Sequence, residues 1–223
     1  MKSLADGVVQ LRLFPPNAIN VYLVNGVLVD AATRFEGGLI LRQLRDQQVT
    51  GHVLTHAHPD HQGASARVCR ELRIPFMVGE RDVAAAEDPR LIGERQPDHW
   101  IAQFMHKALT GPGHHVDRVL HEDDEVAGFQ VLDVPGHSAG HIALWRESDR
   151  TLILGDVLNG RDPLTGMPGL REPKWFFTPD PAENRRSAKR LGMLEPRLVC
   201  FGHGAPLRDT RKFVDFCAAL ADS

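Results

Sequence analysis

Apolar residues in this chain fall in short runs, each stopped by Gly, Pro, Asn or Asp. Residues 8–14, 19–24 and 27–29 read as β segments, punctuated by Pro15-Pro16-Asn17 and Asn25-Gly26. Asn-Gly between two apolar runs predicts a tight hairpin, because a type I′ turn needs two residues at positive φ. Leu39, Ile40 and Leu44 share one face of a helix predicted over 37–47. A strand over 49–55, a helix over 64–73 and a strand over 74–79 follow. Residues 80–118 are broken by Pro89, Gly93, Pro97 and Gly111-Pro112-Gly113. The best helix there runs from Asp98, as its cap, to Leu109. Its stripe of Trp100, Ile101, Phe104, Met105 and Ala108 fits core packing first and a wall over a substrate pocket second.

From Phe129 the pattern is β again, over 129–134, 142–145, 151–154 and 198–201. Helices are predicted over 181–194 and 209–220. The segment 159–181 is rich in Gly and Pro but carries Trp175-Phe176-Phe177. A long loop with that aromatic cluster suits a lid or binding loop better than a plain connector. Strands and helices mix on both sides of residue 125 with no linker between. The reading is therefore one domain over 1–223, of α/β (α+β) class.

Composition narrows the function. The chain has 223 residues, 42% hydrophobic and 25% charged, as an ordinary globular protein does. Its net charge of −3, with no basic block, gives no electrostatic footprint for nucleic acid. No apolar run approaches the roughly 20 residues that span a bilayer. Met1 to Gly7 contain an early Asp6 and no apolar h-region, so no secretory signal is expected. Cys69, Cys200 and Cys217 are odd in number and far apart, which fits buried thiols in a reducing cytoplasm.

The chemistry is concentrated in His56-Ala57-His58-Pro59-Asp60-His61, just after an apolar run. Imidazole and carboxylate are ligands for divalent first-row metals, zinc foremost. His137, Asp156 and His203 each end another apolar run. Ligands gather beyond strand ends in layered α/β folds, so these distant groups can meet on one rim. His56 and His58, two apart, can point the same way. Asp60 and His61 cannot easily join them on one ion, which suits two ions side by side. Asp156 has two oxygens and can bridge. Two such ions share a water and lower its pKa, and the hydroxide is the expected nucleophile. Asp60 is also the candidate catalytic proton acceptor. His52, His99, His106, His114, His115 and His121 read as surface or core residues. His141 is weighed as a partner behind the ligands, the less favoured of its two readings.

The sequence resembles the metallo-β-lactamase superfamily. The matching residues are Thr55 to His61, Gly136-His137-Ser138-Ala139-Gly140-His141, Gly155-Asp156 and Gly202-His203-Gly204. The resemblance implies a four-layer αβ/βα sandwich, two mixed sheets flanked by helices. It implies that His56, His58 and His137 hold a first ion. Asp60, His61 and His203 hold a second, and Asp156 bridges. Zinc is the first choice of metal, with iron or manganese as alternatives. The implied activity is cleavage of a small ester, thioester or lactone, with a metal site like those of glyoxalase II and the lactonases. A persulfide dioxygenase-like enzyme with one iron, and β-lactamase activity, are the competing readings. Some lactonases place a tyrosine three residues past the bridging aspartate, where this chain has Asn159. Asn159, Trp175 and Phe176 are the expected substrate contacts. The expected partner is a small molecule, with no nucleic acid and no membrane. Exposed aromatics near Trp100 or Trp175 would serve a homodimer as readily as a pocket.

Overall fold

The hairpin predicted at Asn25-Gly26 sits at the centre of the first sheet. Asn25 and Gly26 have φ of 44° and 84°, as a type I′ turn requires. They join β3 (Tyr22–Val24) to β4 (Val27–Val29). In this computed structural model, which describes residues 1–221, the sheet has seven strands in chain order. They are β1 (Lys2–Ala5), β2 (Val8–Gln10), β3, β4, β5 (Gly51–Leu54), β6 (Phe76–Gly79) and β7 (Arg118–Leu120). The strands β1 to β4 pair antiparallel, and β4 to β7 pair parallel. Helices α1 (Gly37–Leu44), α2 (Pro59–Gln62), α3 (Ser65–Leu72), α4 (Val83–Glu87), α5 (Arg90–Glu94) and α6 (Trp100–Leu109) fall in the crossovers of the parallel part.

A second sheet begins at residue 125, where the sequence divides. Its order is β14-β11-β10-β9-β8. The strands are β8 (Glu125–Val126), β9 (Phe129–Asp133), β10 (Ile142–Arg146), β11 (Thr151–Ile153) and β14 (Leu198–Cys200). Helix α7 (Pro181–Met193) carries the chain across to β14, which lies parallel to β11, and α8 (Arg211–Ala219) packs on α7. Between β11 and α7 a small hairpin forms from β12 (Asn159–Arg161) and β13 (Pro168–Arg171). Thus 159–181 is partly regular, not a bare loop.

Three apolar clusters make the layers. Val24, Val29 and Val53 of the first sheet face Phe129, Ile142 and Leu144 of the second. Leu28, Leu54 and Val78 on the other face of the first sheet pack with Ile40, Leu44 and Val68 of its helices. Trp145, Leu152 and Val199 pack with Ala188, Leu191 and Phe213 of α7 and α8. Each strand alternates its side chains between two buried faces, so both faces are apolar. The order helix, sheet, sheet, helix is the predicted four-layer sandwich. No helix among the described residues is long and apolar enough to cross a membrane.

The differences from expectation have local causes. Most predicted strands and helices overrun the observed ones by a few residues, because apolar pattern continues where backbone pairing stops. The strand β1 escaped prediction because it is an edge strand whose one buried side chain is Leu4. Helix α6 is capped by His99, whose Nδ1 accepts from Ile101 N at 3.2 Å, and not by Asp98. Asp98 instead accepts from Gln103 Nε2. Trp100 and Phe104 of its stripe are exposed, 71% and 64%, so that face is not core.

His52 is a core residue of β5. Its Nδ1 lies 3.1 Å from Leu28 O and its Nε2 2.8 Å from Ser65 Oγ, with Phe76 stacked on the ring. Burial lowers its pKa from 6.5 to about 4. The unfolded chain takes this proton near pH 6.5 and the folded chain only near 4. The stability it contributes is therefore full above 6.5 and is lost on acidification, about 2 kcal/mol by pH 5. We expect His52→Gln to lose less stability than the parent between pH 7 and 5, measured by urea denaturation. An equal slope in both proteins would refute this.

Candidate metal centre

Every candidate ligand sits just beyond the C-terminal end of a strand. His56, His58, Asp60 and His61 follow β5, with Pro59 opening α2 at a position that needs no donor. His137 follows β9, Asp156 follows β11 and His203 follows β14. The face-to-face packing of the sheets brings these ends together. Three sets of donor atoms lie within 4.8 Å of one another: His56, His58 and His137; His56, His61 and Asp156; Asp60, His61 and His203. Asp156 joins the halves. Its Oδ1 is 3.5 Å from His61 Nε2, and its Oδ2 is 3.8 Å from His137 Nε2 and 3.1 Å from His203 Nε2. Asp60 Oδ2 lies 3.2 Å from His203 Nε2.

The framework fixes which ring nitrogen faces inward. His61 Nδ1 donates to Asp30 Oδ2 at 2.8 Å. His56 Nδ1 meets Thr55 Oγ1 at 3.0 Å, and that hydroxyl donates to Asp30. His137 Nδ1 meets Thr178 Oγ1 at 3.0 Å, and that hydroxyl donates to Lys174 O. His203 Nδ1 donates to Ala18 O. Each of these four rings thus spends its Nδ1–H on the scaffold and turns Nε2 to the centre, as metal-binding imidazoles do, whereas His58 Nε2 meets Gln96 Nε2 at 2.8 Å. The Nε2 atoms of His56, His61 and His137, and Asp156 Oδ1, are buried without a hydrogen-bond partner, His61 Nε2 and Asp156 Oδ1 facing each other only at 3.5 Å. An unpaired buried polar atom costs about 1–3 kcal/mol. Four in one cluster fit a cation that they would ligate.

Several residues that build this site were not singled out in the sequence. Asp30 accepts from Thr55 N, Thr55 Oγ1 and His61 Nδ1. Asp82 accepts from Ala57 N, Ser138 Oγ and Gly140 N, tying the His56 loop to the His137 loop. Asn20 donates to Phe201 O and Gly204 O and so clamps the loop of His203. Only the apolar runs before Asp30 and Asp82 hinted at them, since both end strands as the ligands do. His141 does stand behind a ligand: Asp156 N donates to its Nε2 at 3.3 Å.

The two halves differ in charge. Burial pushes His56 and His137 well below the usual imidazole range and His58 down to about 4. They are neutral donors at pH 7. Burial also opposes charge on His61 and His203, but Asp156 outweighs it, helped by Asp30 and Asp60 respectively. His61 is held well above its usual range, and His203 is raised to about 10. Burial likewise opposes the charge on Asp60 and Asp156, yet the His203 and His61 imidazoles keep both carboxylates ionised.

A cavity of about 540 Å³, including its open mouth, opens on the donors. His58, Asp60, His137, Asp156, Asn159 and His203 form its polar side, and Ala102, Met105, Leu109, Leu164 and Phe177 its apolar side. The inner face of α6 is therefore a pocket wall. Asn159 lines the cavity and its buried Oδ1 has no partner. Trp175 and Phe176 do not line it, which corrects the expectation for that pair. Trp175 faces solvent, and Phe176 is buried against His99 at 4.3 Å. The three aromatics form one 3₁₀ turn (Trp175–Phe177), which sends successive side chains about 120° apart. Only Phe177 reaches the cavity.

Comparison with known proteins decides the family: the model of the metallo-beta-lactamase superfamily matches residues 14–203. The chain belongs to that superfamily. It is a metallo-hydrolase by that membership. A probable metallo-hydrolase of Bacillus subtilis, YflN, is similar at 28% identity, covering 81% of this chain and 76% of its own. A crystal structure of TTHA1623 in a di-iron-bound form is similar with a TM-score of 0.68 and 31% identity, covering 94% of this chain and 97% of that one. A hydroxyacylglutathione hydrolase of Methylococcus capsulatus is 34% identical over 48% of this chain and 34% of its own length.

Gly202 tests the donor geometry in this metallo-hydrolase. A Cβ there would fall 2.0 Å from Asp156 Oδ1 and 2.6 Å from His61 Cε1. We expect Gly202→Ala to fold, by far-UV circular dichroism, and to lose most tightly bound metal by elemental analysis. A folded variant with unchanged metal content would remove Asp156 and His61 from the ligand set.

Proposed function

We propose that this metallo-hydrolase cleaves a small ester, thioester or lactone with two divalent metal ions, zinc foremost. The observation that carries the reading is Asp156, whose two oxygens reach imidazoles of both halves of the centre. A bridging carboxylate suits two ions better than the single iron of the dioxygenase reading. The similarity to a hydroxyacylglutathione hydrolase supports acyl-bond cleavage, though the chain spans only a third of that protein.

In this reading His56, His58 and His137 hold one ion, Asp60, His61 and His203 the other, and Asp156 both. Bound divalent ions supply Lewis acidity to a carbonyl oxygen and acidify water near neutral pH. The remaining steps belong to side chains. Asp60 stands half-buried in the cavity wall, so its carboxylate can reach the attacking water and accept its proton, at a basicity that the His203 and His61 imidazoles lower in the protein alone. Asn159 offers its free amide oxygen to a donor on the substrate. Met105, Leu109 and Phe177 cover the acyl group and keep bulk water from it.

The test is a panel of esters, thioesters and lactones with metal-replete protein. Turnover is expected to vanish with chelator and return with metal. His58→Ala should lower metal content and turnover together, turnover by on the order of 100-fold. Two bound ions with no turnover above free metal would refute the hydrolase reading.

A further inference from the structure

A second cavity, about 1270 Å³ including its open mouth, runs beside the first. His58, Gln96 and His137 stand in the walls of both. The centre therefore lies between two compartments, and their chemistry differs. In the first, the ammonium of Lys174 is held by Asp162 Oδ2 at 2.7 Å, a carboxylate it shares with Arg171 Nη1 at 3.2 Å. The imidazole of His106 there is turned to Pro89 O. What is left of that wall away from the donors is apolar.

The second compartment carries two exposed guanidiniums, Arg81 and Arg95. Arg95 Nη1 donates to Arg81 O at 2.8 Å, which brings the two residues together. Among the described residues, no ion pair within 4.0 Å joins either guanidinium to a carboxylate. The acids of the same groove are already engaged. Asp82 takes the three donors named above, Asp180 caps α7 through Glu183 N, and Glu183 pairs with Arg186. The groove therefore presents two guanidiniums outside any ion pair, beside carboxylates whose oxygens are held by their own donors. Guanidinium forks bind oxyanions through paired N–H groups.

We propose that this groove reads an oxyanion on the leaving group of the substrate, with Arg81 and Arg95 as the specificity-determining residues. The inference rests on the acyl-hydrolase reading and names its substrate class: an apolar acyl group joined to an anionic alcohol or thiol. The scissile carbonyl lies at the donors, the acyl group enters the apolar first cavity, and the hydrated anion stays in the groove beside the two guanidiniums. Hydrolysis then adds water across the acyl bond. The water oxygen bonds the carbonyl carbon, the carbon–sulfur or carbon–oxygen pair leaves with the heteroatom, and the two water protons end on the acid and the thiol or alcohol. The anionic fragment departs directly to solvent.

The experiment compares two thioesters of hexanoic acid, one with 3-mercaptopropionate and one with its uncharged primary amide. The readout is the ratio of kcat/KM, charged over neutral. In the parent the charged thioester should be favoured about tenfold or more, as for a hydrogen bond to a charged group. In the double variant Arg81→Gln/Arg95→Gln the ratio should fall to near one. Arg90→Gln, on the surface and paired with Asp88, should leave the ratio unaltered. Equal use of both thioesters by the parent, or a ratio unmoved in the folded double variant, overturns the proposal. If neither thioester is cleaved, the panel above judges the hydrolase reading, and the groove is judged by calorimetry with the uncleavable thioether S-hexyl-3-mercaptopropionate. Binding that weakens about tenfold in the double variant upholds the anion groove, and binding that is absent or unchanged rejects it.

Discussion

The site depends on one buried carboxylate. Asp30 accepts Thr55 N and Thr55 Oγ1 and fixes the Nδ1–H of His61. The same Thr55 hydroxyl fixes His56. Two imidazoles that would otherwise choose between tautomers are thereby set with Nε2 inward. A buried acceptor with this many donors is stable only if every donor keeps its place, since the low dielectric of the interior penalises an unmet group. Asp30 itself stands at φ 61°, a left-handed conformation uncommon for a residue with a side chain. That backbone setting at the end of β4 is part of what aims the carboxylate at the loop of β5.

Around this point the fold acts as a positioning device. The buried faces of the two sheets hold the ends of β5, β9, β11 and β14 against one another. Asp82 and Asn20 then lock the loops that leave them. Rigidity of this kind matters because the donors repel unless something answers their lone pairs. Three neutral imidazoles in contact, and two carboxylates converging on one imidazole, are both costly arrangements in isolation. In the protein alone, protons on His61 and His203 compensate the acids. Divalent cations would compensate both halves at once.

Specificity is built from different material than chemistry. The donors come from strand ends, whereas the cavity walls come from α6, from the turn at Trp175–Phe177 and from the segment around Arg81 and Arg95. These connections carry less of the core than the strands do. They can therefore differ between members of the superfamily while the centre keeps its layout, which is how one fold comes to serve many substrates.

Much of this was legible in the chain as written. The hairpin at Asn25-Gly26, the inner strands of both sheets though not β1, β7 or β8, the break near residue 125 and the His-Asp cluster with its distant partners follow from period, turn chemistry and residue type, all of which are local. Asp30, Asp82 and Asn20 were not legible, because an aspartate that ends a strand looks the same whether it meets solvent or three buried donors. Nor was the aromatic triplet: its residue types announced a pocket, but only the pitch of the turn decided that Phe177 faces the cavity and Trp175 faces water. The sequence by itself determined which elements form and which side chains can bind metal. Only the tertiary structure settles which of them meet, which ring nitrogen each presents and which charges remain unpaired, because those are set by the packing of segments tens of residues apart or more.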